Sequence, residues 1–252
     1  MGKSSRSGLD GKTLHEKQYT GAAMPFRLSL PWLRSMLRRW DVHREDVVSA
    51  MLPGGDRLLD VGCGSGALLA RCSDKYRELY GVDIVAARVE QAEEMLRAAY
   101  PGKRIVLRQH DAANPLPFPP EYFDSVCCVA TLEHIYDVYF AVSEMARVLR
   151  QGGEIVIEVP NIAYVKHRVA LLIGFLPATS AAADWRTYGW DGGHVHYFTL
   201  GALRSLLSGY GLRIVKVRGS GLLAGLRARW PSLLTGDLVV RAIKMTRGSS
   251  RG

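Results

Sequence analysis

The chain has 252 residues, of which 48% are hydrophobic and 23% charged, with 26 glycines and 11 prolines. This composition is typical of a folded globular protein and excludes the collagen, coiled-coil and intrinsically disordered classes. The formal net charge of +9 at pH 7 indicates attraction to anions. Residues 57–199, however, carry 14 basic and 17 acidic side chains, whereas residues 200–252 carry ten and one. The positive excess therefore belongs to the C-terminal fifth of the chain.

Neither a membrane span nor a secretory signal is predicted. No stretch reaches the roughly 18 consecutive apolar residues that a spanning helix requires, and residues 1–6 are polar. The four cysteines lack the spacing of a disulfide framework. We therefore expect a cytoplasmic protein. The mixed apolar and basic segment 221–234 adds peripheral contact with the inner membrane face as a further expectation.

In chain order, residues 1–56 are predicted to form a polar tail and a helical cap, with amphipathic helices around 32–40 and 43–52. Short apolar runs then alternate with helical patterns. The five predicted strands are 57–61, 78–83, 105–109, 123–130 and 154–159. The predicted helices between them are 67–72, 86–100 and 138–149. This alternation predicts an α/β fold: a Rossmann-like, doubly wound, mostly parallel sheet with helices on both faces.

The alternation breaks after Pro160. An irregular segment as long as the one at about 161–199 is usually a lid or a substrate-binding insert. Its aromatic side chains suit either packing of the insert or binding of a planar substrate, and they include Trp185, Tyr188 and Trp190. After the insert come a helix that begins at Thr199 and two strands, 212–218 and 238–244, which are predicted to pair as an antiparallel edge of the sheet at the C-terminal end of the chain.

The sharpest motif is Leu58–Gly66 (LLDVGCGSG), in which the first predicted strand leads into a glycine loop. Glycines spaced G-x-G-x-G let a ligand approach the backbone, and the helix that follows offers free N–H groups to an anion. The dinucleotide fingerprint G-x-G-x-x-G is not met, because Ala67 stands where its last glycine would be. Nicotinamide and flavin cofactors are therefore disfavoured. Asp83 ends the next strand, where its carboxylate can accept both hydroxyls of a ribose.

These motifs resemble those of the class I S-adenosylmethionine-dependent methyltransferases. The glycine loop is similar to the first motif of that family, Gly81-Val-Asp-Ile to the second and the segment from His110 to the third; Leu132-Glu-His and Gln151-Gly-Gly continue the series. Residues 161–199 more loosely resemble the bacterial small-molecule branch, which includes ubiquinone-type and MetW-like proteins. The resemblance implies S-adenosylmethionine as cofactor and a methyltransferase domain over 57–252.

The resemblance also implies roles for individual residues. Asp83 would hold the ribose, Asp111 the adenine amino group, and Asp60 the loop and the ligand's ammonium group, while Gly62 and Gly64 would line the methionine moiety. The full set of implied cofactor contacts is Asp60, Gly62, Cys63, Gly64, Gly66, Asp83, Ile84, Asp111, Ala112 and Ala130.

Three histidines are candidate catalytic residues, since an oxygen or nitrogen acceptor that starts protonated needs a base. His134 follows the fourth strand, at the sheet edge where α/β proteins place their sites. His194 and His196 would share one face if their segment is extended. Structural roles in the cofactor shell or in anchoring the insert are the alternatives. Asp191, His194 and His196 lack a fourth ligand nearby, so no metal site is predicted.

We therefore predict an enzyme that methylates a small molecule at oxygen, nitrogen or carbon, with an apolar or lipid-linked compound as one class of acceptor. Two alternatives stay open: an RNA or protein methyltransferase that uses the basic residues of 200–252, and a non-catalytic, MetW-like binding subunit. Nucleic acid is disfavoured as a partner, because neither an Asn-Pro-Pro-Tyr type tetrad nor a Pro-Cys nucleophile follows the fourth strand. The sequence leaves the oligomeric state open.

Overall fold

The structure, a computed structural model, describes residues 41–179, 193–222 and 224–246. Its strands are β1 (Asp41–Val42), β2 (Gly55–Val61), β3 (Tyr76–Asp83), β4 (Arg104–Gln109), β5 (Phe123–Val129), β6 (Leu149–Pro160), β7 (Leu212–Arg218), β8 (Gly221–Leu222) and β9 (Asp237–Lys244). Its helices are α1 (Arg44–Met51), α2 (Ala67–Arg71), α3 (Ala86–Ala99), α4 (Val138–Val148), α5 (Val165–Leu172), α6 (Leu200–Ser208), α7 (Ala224–Arg227) and α8 (Pro231–Leu234), with a short 3₁₀ turn at Leu132–His134.

Seven of these strands form one sheet in the order β4-β3-β2-β5-β6-β9-β7. The pairs among β2 to β6 are parallel, whereas β9 runs antiparallel to both β6 and β7. The predicted Rossmann-like, mostly parallel sheet is confirmed, including the antiparallel pairing of the last two predicted strands, with β7 outermost. The strand order reverses between β2 and β5, and ligands of open α/β sheets bind at the carboxyl ends of the strands at such a switch point.

Helices cover both faces of the sheet, as predicted. The apolar core divides into two clusters: α4 and α6 pack into one, and α1, α2 and α3 into the other. Leu58 and Leu59 are adjacent in β2 and belong to different clusters, because successive strand residues point to opposite faces. β5 is buried on both faces, since Cys127 packs into one cluster and Val126 and Cys128 into the other. This explains why its sequence is a near-continuous apolar run.

The N-terminal region contributes directly to this architecture. The helix predicted at 43–52 is present as α1, with Val48 and Met51 buried against the sheet. The backbone of β1 pairs with that of β8, which joins the N-terminal segment to the C-terminal region. The helix predicted at 32–40 lies outside the described residues, and the domain boundary at residue 56 stays a prediction. In the part of the chain that the structure describes, every helix is too short or too polar to cross a bilayer.

The insert is described at its two ends only. It begins after β6 with an isolated bridge between Asn161 and Phe198 and continues through α5. Asn161 is fully buried and its side-chain amide donates to the carbonyl oxygens of Ser232 and Thr235. The start of the insert is thereby fixed to the segment that precedes β9. The predicted aromatic group Trp185, Tyr188 and Trp190, together with Asp191, lies outside the described residues.

Candidate active site

The glycine loop leaves β2 at the switch point of the sheet. Gly62, Gly64 and Gly66 have φ angles of +81°, +49° and +75°, in the left-handed region that favours glycine. A Cβ atom on Gly62 would lie 2.0 Å from Oγ1 of Thr131, so the loop passes directly against the segment that follows β5. The amides of Gly62 and Cys63 both donate to the carbonyl oxygen of Val82, at 2.8 and 3.0 Å. The loop is therefore held between the ends of β3 and β5.

Asp83, at the end of β3, closes the loop from the other side. Its Oδ2 accepts a hydrogen bond from the Gly64 amide at 2.8 Å, and its Oδ1 accepts one from the Val85 amide at 2.9 Å. Each carboxylate oxygen can accept more than one hydrogen bond, so both can still bind a hydroxyl group. Backbone contacts thus orient the carboxylate that the sequence assigned to a ribose.

Asp60 is a second acid, buried at the end of β2 with 2% of its surface exposed. Burial raises the pKa of Asp60 to about 7; the hydrogen bond from the Cys127 thiol, at 3.4 Å, opposes this shift, and the negative charge of Asp83 adds to it. A cation placed beside Asp60 would favour the ionised form. The site therefore has a buried acid that suits a positively charged part of a ligand.

A cavity of about 610 Å³ opens beside these acids, within the usual size range of ligand pockets. It is lined by nine of the ten predicted cofactor residues, namely Asp60, Gly62, Cys63, Gly64, Asp83, Ile84, Asp111, Ala112 and Ala130. Gly66 is not at the cavity wall. It precedes α2, and a Cβ atom there would meet Ala92 and Leu96 of α3 at 3.2 and 3.0 Å, so the third glycine allows close packing of two helices.

Asp111 has a smaller structural role than Asp83. Its side chain is exposed, and its Oδ1 accepts a hydrogen bond from the Ala113 amide at 2.9 Å, which forms a local turn. The other carboxylate oxygen has no such role in that turn. The structure thus combines both interpretations of this residue, a turn-forming acid that also lies at the cavity wall.

The three candidate catalytic histidines are in different environments. His134 lines the cavity, and its Nδ1 donates to the Gly193 carbonyl oxygen at 2.6 Å, since a carbonyl can only accept. His194 contacts the His134 ring, and its Nδ1 lies 2.6 Å from Oγ1 of Thr179. His196 donates from Nε2 to the Tyr136 carbonyl oxygen at 2.9 Å. Residues 193–197 form no strand.

Three charged residues near the cavity were missed by the sequence reasoning. Glu133 and Glu158 are 1% and 2% exposed, and burial raises their pKa values to about 7 and about 8. Arg44 of α1 lines the cavity and places Nη1 3.7 Å from Oε2 of Glu158. The sequence did contain signals for the two glutamates: Glu158 lies inside the predicted apolar strand 154–159, and Glu133 is the acid of Leu-Glu-His. Nothing in the sequence indicated that Arg44 would join them, because it lies 89 residues from Glu133 and 114 from Glu158 along the chain.

Comparison with known proteins identifies the central segment. Residues 59–157 match the family described as "Methyltransferase domain". This segment is a class I methyltransferase domain. The match begins in β2 and ends in β6, so it spans the parallel half of the sheet and all the predicted cofactor residues. The family relationship supports S-adenosylmethionine as the cofactor of the methyltransferase domain, as predicted.

Three curated relatives agree with the predicted branch. The 27-O-demethylrifamycin SV methyltransferase of Amycolatopsis mediterranei is 36% identical, over 44% of this chain and 41% of the relative. The ubiquinone biosynthesis O-methyltransferase of Alkalilimnicola ehrlichii is 32% identical, over 47% of this chain and 48% of the relative. The bifunctional methionine biosynthesis protein MetXA/MetW of Rhodopirellula baltica is 30% identical, over 53% of this chain and 23% of the relative. This chain therefore spans less than half the length of each. A solved S-adenosylmethionine-dependent methyltransferase from Mesorhizobium loti shares the fold, with a TM-score of 0.59 and 21% identity over 78% of this chain and 95% of that one.

The residues of the methyltransferase domain fit this cofactor. Asp83 presents a fixed carboxylate to hydroxyl groups, and Asp60 is a buried acid with a raised pKa that suits an ammonium group. Gly62 and Gly64 keep the loop free of side chains on the cavity side, where a Cβ atom on Gly64 would meet nothing within 4 Å.

Proposed function

We propose that this protein transfers the methyl group of S-adenosylmethionine to a small-molecule acceptor. The observation that carries the proposal is the continuity of the cavity. It runs from the predicted cofactor acids Asp83 and Asp111 to a second group of residues, Thr131, His134 and Tyr136, that are not among the predicted cofactor contacts. This second group gives an acceptor its own wall next to the cofactor. The similarity to the rifamycin and ubiquinone O-methyltransferases supports a small-molecule acceptor methylated at oxygen.

The bound cofactor supplies an activated methyl group on a positively charged sulfur. The chain has mainly to hold the acceptor in line and exclude water, and such positioning can contribute about 7–11 kcal/mol to lowering the barrier. In this proposal Asp83, held by the Gly64 amide, binds the ribose, and the buried Asp60 binds the ammonium group. Of the three predicted catalytic histidines, His134 is the one at the cavity wall. Its action as a base, and that of His194 or His196, stays a prediction.

Calorimetry tests the cofactor half of the proposal. We expect wild-type protein to bind S-adenosylmethionine, and Asp83→Ala to weaken binding by about tenfold or more, or about 1.4 kcal/mol. Asp74→Ala is the matched control, because Asp74 is exposed and lies away from the cavity. Circular dichroism of each variant separates loss of binding from loss of fold. Absence of cofactor binding by the folded wild type would reject the proposal.

Turnover tests the acceptor half. Methyl-labelled cofactor is incubated with a panel of phenols, quinols, amines and polyketide-type hydroxyl compounds, and we expect label in at least one of these classes. The second candidate, a non-catalytic binding subunit, is favoured by the similarity to the MetXA/MetW protein. Cofactor binding without transfer to any acceptor, together with a stable co-purifying protein, would select that candidate instead.

The macromolecular alternatives have their own tests. Arg213 and Arg218 are exposed on β7, the outermost strand, where positive charge also prevents edge-to-edge pairing. Unchanged RNA mobility on addition of the protein at low salt would count against an RNA substrate.

Peripheral membrane contact through 221–234 stays a prediction. Trp230 of this segment is 61% exposed and lies beside Arg229 in the sequence. Co-sedimentation of wild type and Trp230→Ala with anionic vesicles tests it.

A further inference from the structure

Three side chains that can bind a metal ion lie close together beside the cavity wall: Glu133, His134 and His194. The Nε2 atoms of His134 and His194 lie 4.0 and 3.9 Å from the same atom, Oε1 of Glu133. The ligand atoms of all three residues lie within 4.8 Å of one another. Around a tetrahedral ion with bonds of about 2.0–2.1 Å, ligand atoms are about 3.4 Å apart. The two distances to Glu133 would therefore contract by about half an ångström around one ion, and the two imidazole nitrogens would approach each other by at most about 1.4 Å.

Hydrogen bonds at the opposite ring nitrogens orient both imidazoles. Nδ1 of His134 donates to the Gly193 carbonyl oxygen, and Nδ1 of His194 lies 2.6 Å from Oγ1 of Thr179. Metal-binding histidines are characteristically held in this way, with one nitrogen bonded to a carbonyl or hydroxyl oxygen and the other directed at the ion. Here both Nε2 atoms lie near the Glu133 carboxylate, at 4.0 and 3.9 Å from its Oε1.

The carboxylate itself provides an independent observation. Glu133 is 1% exposed, and its Oε2 is a buried atom without a hydrogen-bond partner among the described residues. A buried carboxylate oxygen without a hydrogen-bond partner lowers the stability of the folded protein, and a bound cation would offset this loss. The backbone of Glu133 is also fixed, since its carbonyl oxygen accepts from the amides of Val195 and His196 at 2.9 and 3.1 Å. Residues 133 and 194–196 are thus held together by the main chain.

We propose that Glu133, His134 and His194 bind one divalent transition-metal ion of the Zn²⁺ class. Two imidazoles and one carboxylate suit Zn²⁺, Co²⁺ or Ni²⁺, whereas Mg²⁺ and Ca²⁺ prefer all-oxygen sites. Three protein ligands would leave a coordination position open. The ion would lie close to the cavity, because His134 lines the cavity wall.

This site differs from the one considered from the sequence. Asp191, His194 and His196 were considered there, but Nε2 of His196 is bonded to the Tyr136 carbonyl oxygen. In the metal-bound protein the lone pair of His134 Nε2 is donated to the ion, so His134 acts as a ligand and not as a base. The conclusion that His134 is not the base for an acceptor rests on the proposed function, whereas binding of the ion does not.

Titration of tag-free, metal-depleted protein with Zn²⁺, in the absence of S-adenosylmethionine, tests the site. We expect one equivalent to bind to wild type, no comparable binding of Mg²⁺, and an affinity at least tenfold lower in Glu133→Gln and His194→Asn. His43→Asn is the matched control, since His43 is an exposed histidine outside the cluster. Equal Zn²⁺ affinities in wild type and Glu133→Gln would overturn the proposal. The calorimetry of Asp83→Ala tests the cofactor separately, so the two failures are distinguishable.

The absorption spectrum of the Co²⁺ form identifies the ligands. Nitrogen and oxygen coordination gives visible bands without thiolate charge transfer, whereas a near-ultraviolet thiolate band would assign the metal to the buried cysteines and overturn the proposal. If His194→Asn fails to fold, Thr179→Val replaces it. This change removes only the hydroxyl bonded to His194, and we expect a weaker Zn²⁺ affinity with the fold retained. Unchanged affinity in folded Thr179→Val and Glu133→Gln would be decisive against the site.

Discussion

The two sides of the cavity are built in different ways. The cofactor side comes from consecutive strand–loop–helix units, with Asp60 and Asp83 at the ends of neighbouring strands β2 and β3. The opposite side is assembled from α1 and the turn after β5, which contribute Arg44 and His134, and His194 of the insert packs against the His134 ring. A local motif therefore specifies the cofactor side, whereas contacts between segments distant in sequence build the side that we propose for the acceptor.

The two sides also differ in how their charges are held. Asp83 is oriented by backbone amides of its own loop. Glu133 and Glu158 are buried among groups from other elements, and burial raises the pKa of each. Changes on the cofactor side should therefore act through local backbone geometry, and changes on the acceptor side through burial and charge.

The largest expected effect is on the cofactor side, at Gly62. In Gly62→Ala the new Cβ would lie 2.0 Å from Oγ1 of Thr131, at a φ of +81°. We expect a loss of about 3 kcal/mol or more in the free energy of unfolding, together with loss of cofactor binding. The control is Gly102→Ala, because Gly102 has a φ of +89° and open space around its Cβ position. For Gly102→Ala, urea unfolding should show a loss of about 1 kcal/mol in the free energy of unfolding. Equal losses in the two variants would show that the close approach to Thr131 is unimportant.

Asp60→Asn should separate stability from function. Removing a buried acid whose pKa is raised to about 7 should stabilise the cofactor-free protein at about pH 8, by about 1 kcal/mol or more. Cofactor affinity should fall about tenfold, because the ammonium group loses its counter-charge. Asp124→Asn is the opposite case, since Asp124 accepts hydrogen bonds from the Arg57 amide and the Arg150 guanidinium, and its pKa is lowered. Calorimetry and urea unfolding should show destabilisation of that variant. The same sign of stability change in both variants would contradict this account.

A smaller effect is the pH dependence of stability. The pKa values of Asp60 and Glu158 are raised to about 7 and about 8, chiefly by burial, above the ordinary values of 3.8 and 4.5. Between these limits the folded protein binds more protons than the unfolded chain, so stability is greatest at the acidic end and falls as pH rises. We expect unfolding free energy of the cofactor-free protein to decrease from about pH 5 to about pH 8, and Glu158→Gln to flatten the curve. A rise over this range would show that these acids are paired more effectively than their burial indicates.

Much of the fold was predictable because its signals are local. β5 was found from its apolar run, which its burial on both faces requires, and the glycine loop from its spacing. Gly66 was predicted as a cofactor contact, but it lies against α3 and not at the cavity wall, because glycine spacing does not reveal whether a glycine faces a ligand or a packed helix. Glu133 was passed over because an acid after a strand looks like a helix cap until its burial is known.

The sequence by itself determined the order of strands and helices, the cofactor loop and the acid that follows β3, since each depends on residues within one strand–turn–helix unit. The tertiary structure decided which histidine reaches the cavity, that His134 and His194 both lie beside Glu133, and that Arg44 lies beside Glu158. Those pairings join segments up to about a hundred residues apart, and packing of the whole sheet, rather than any short pattern, brings such segments together.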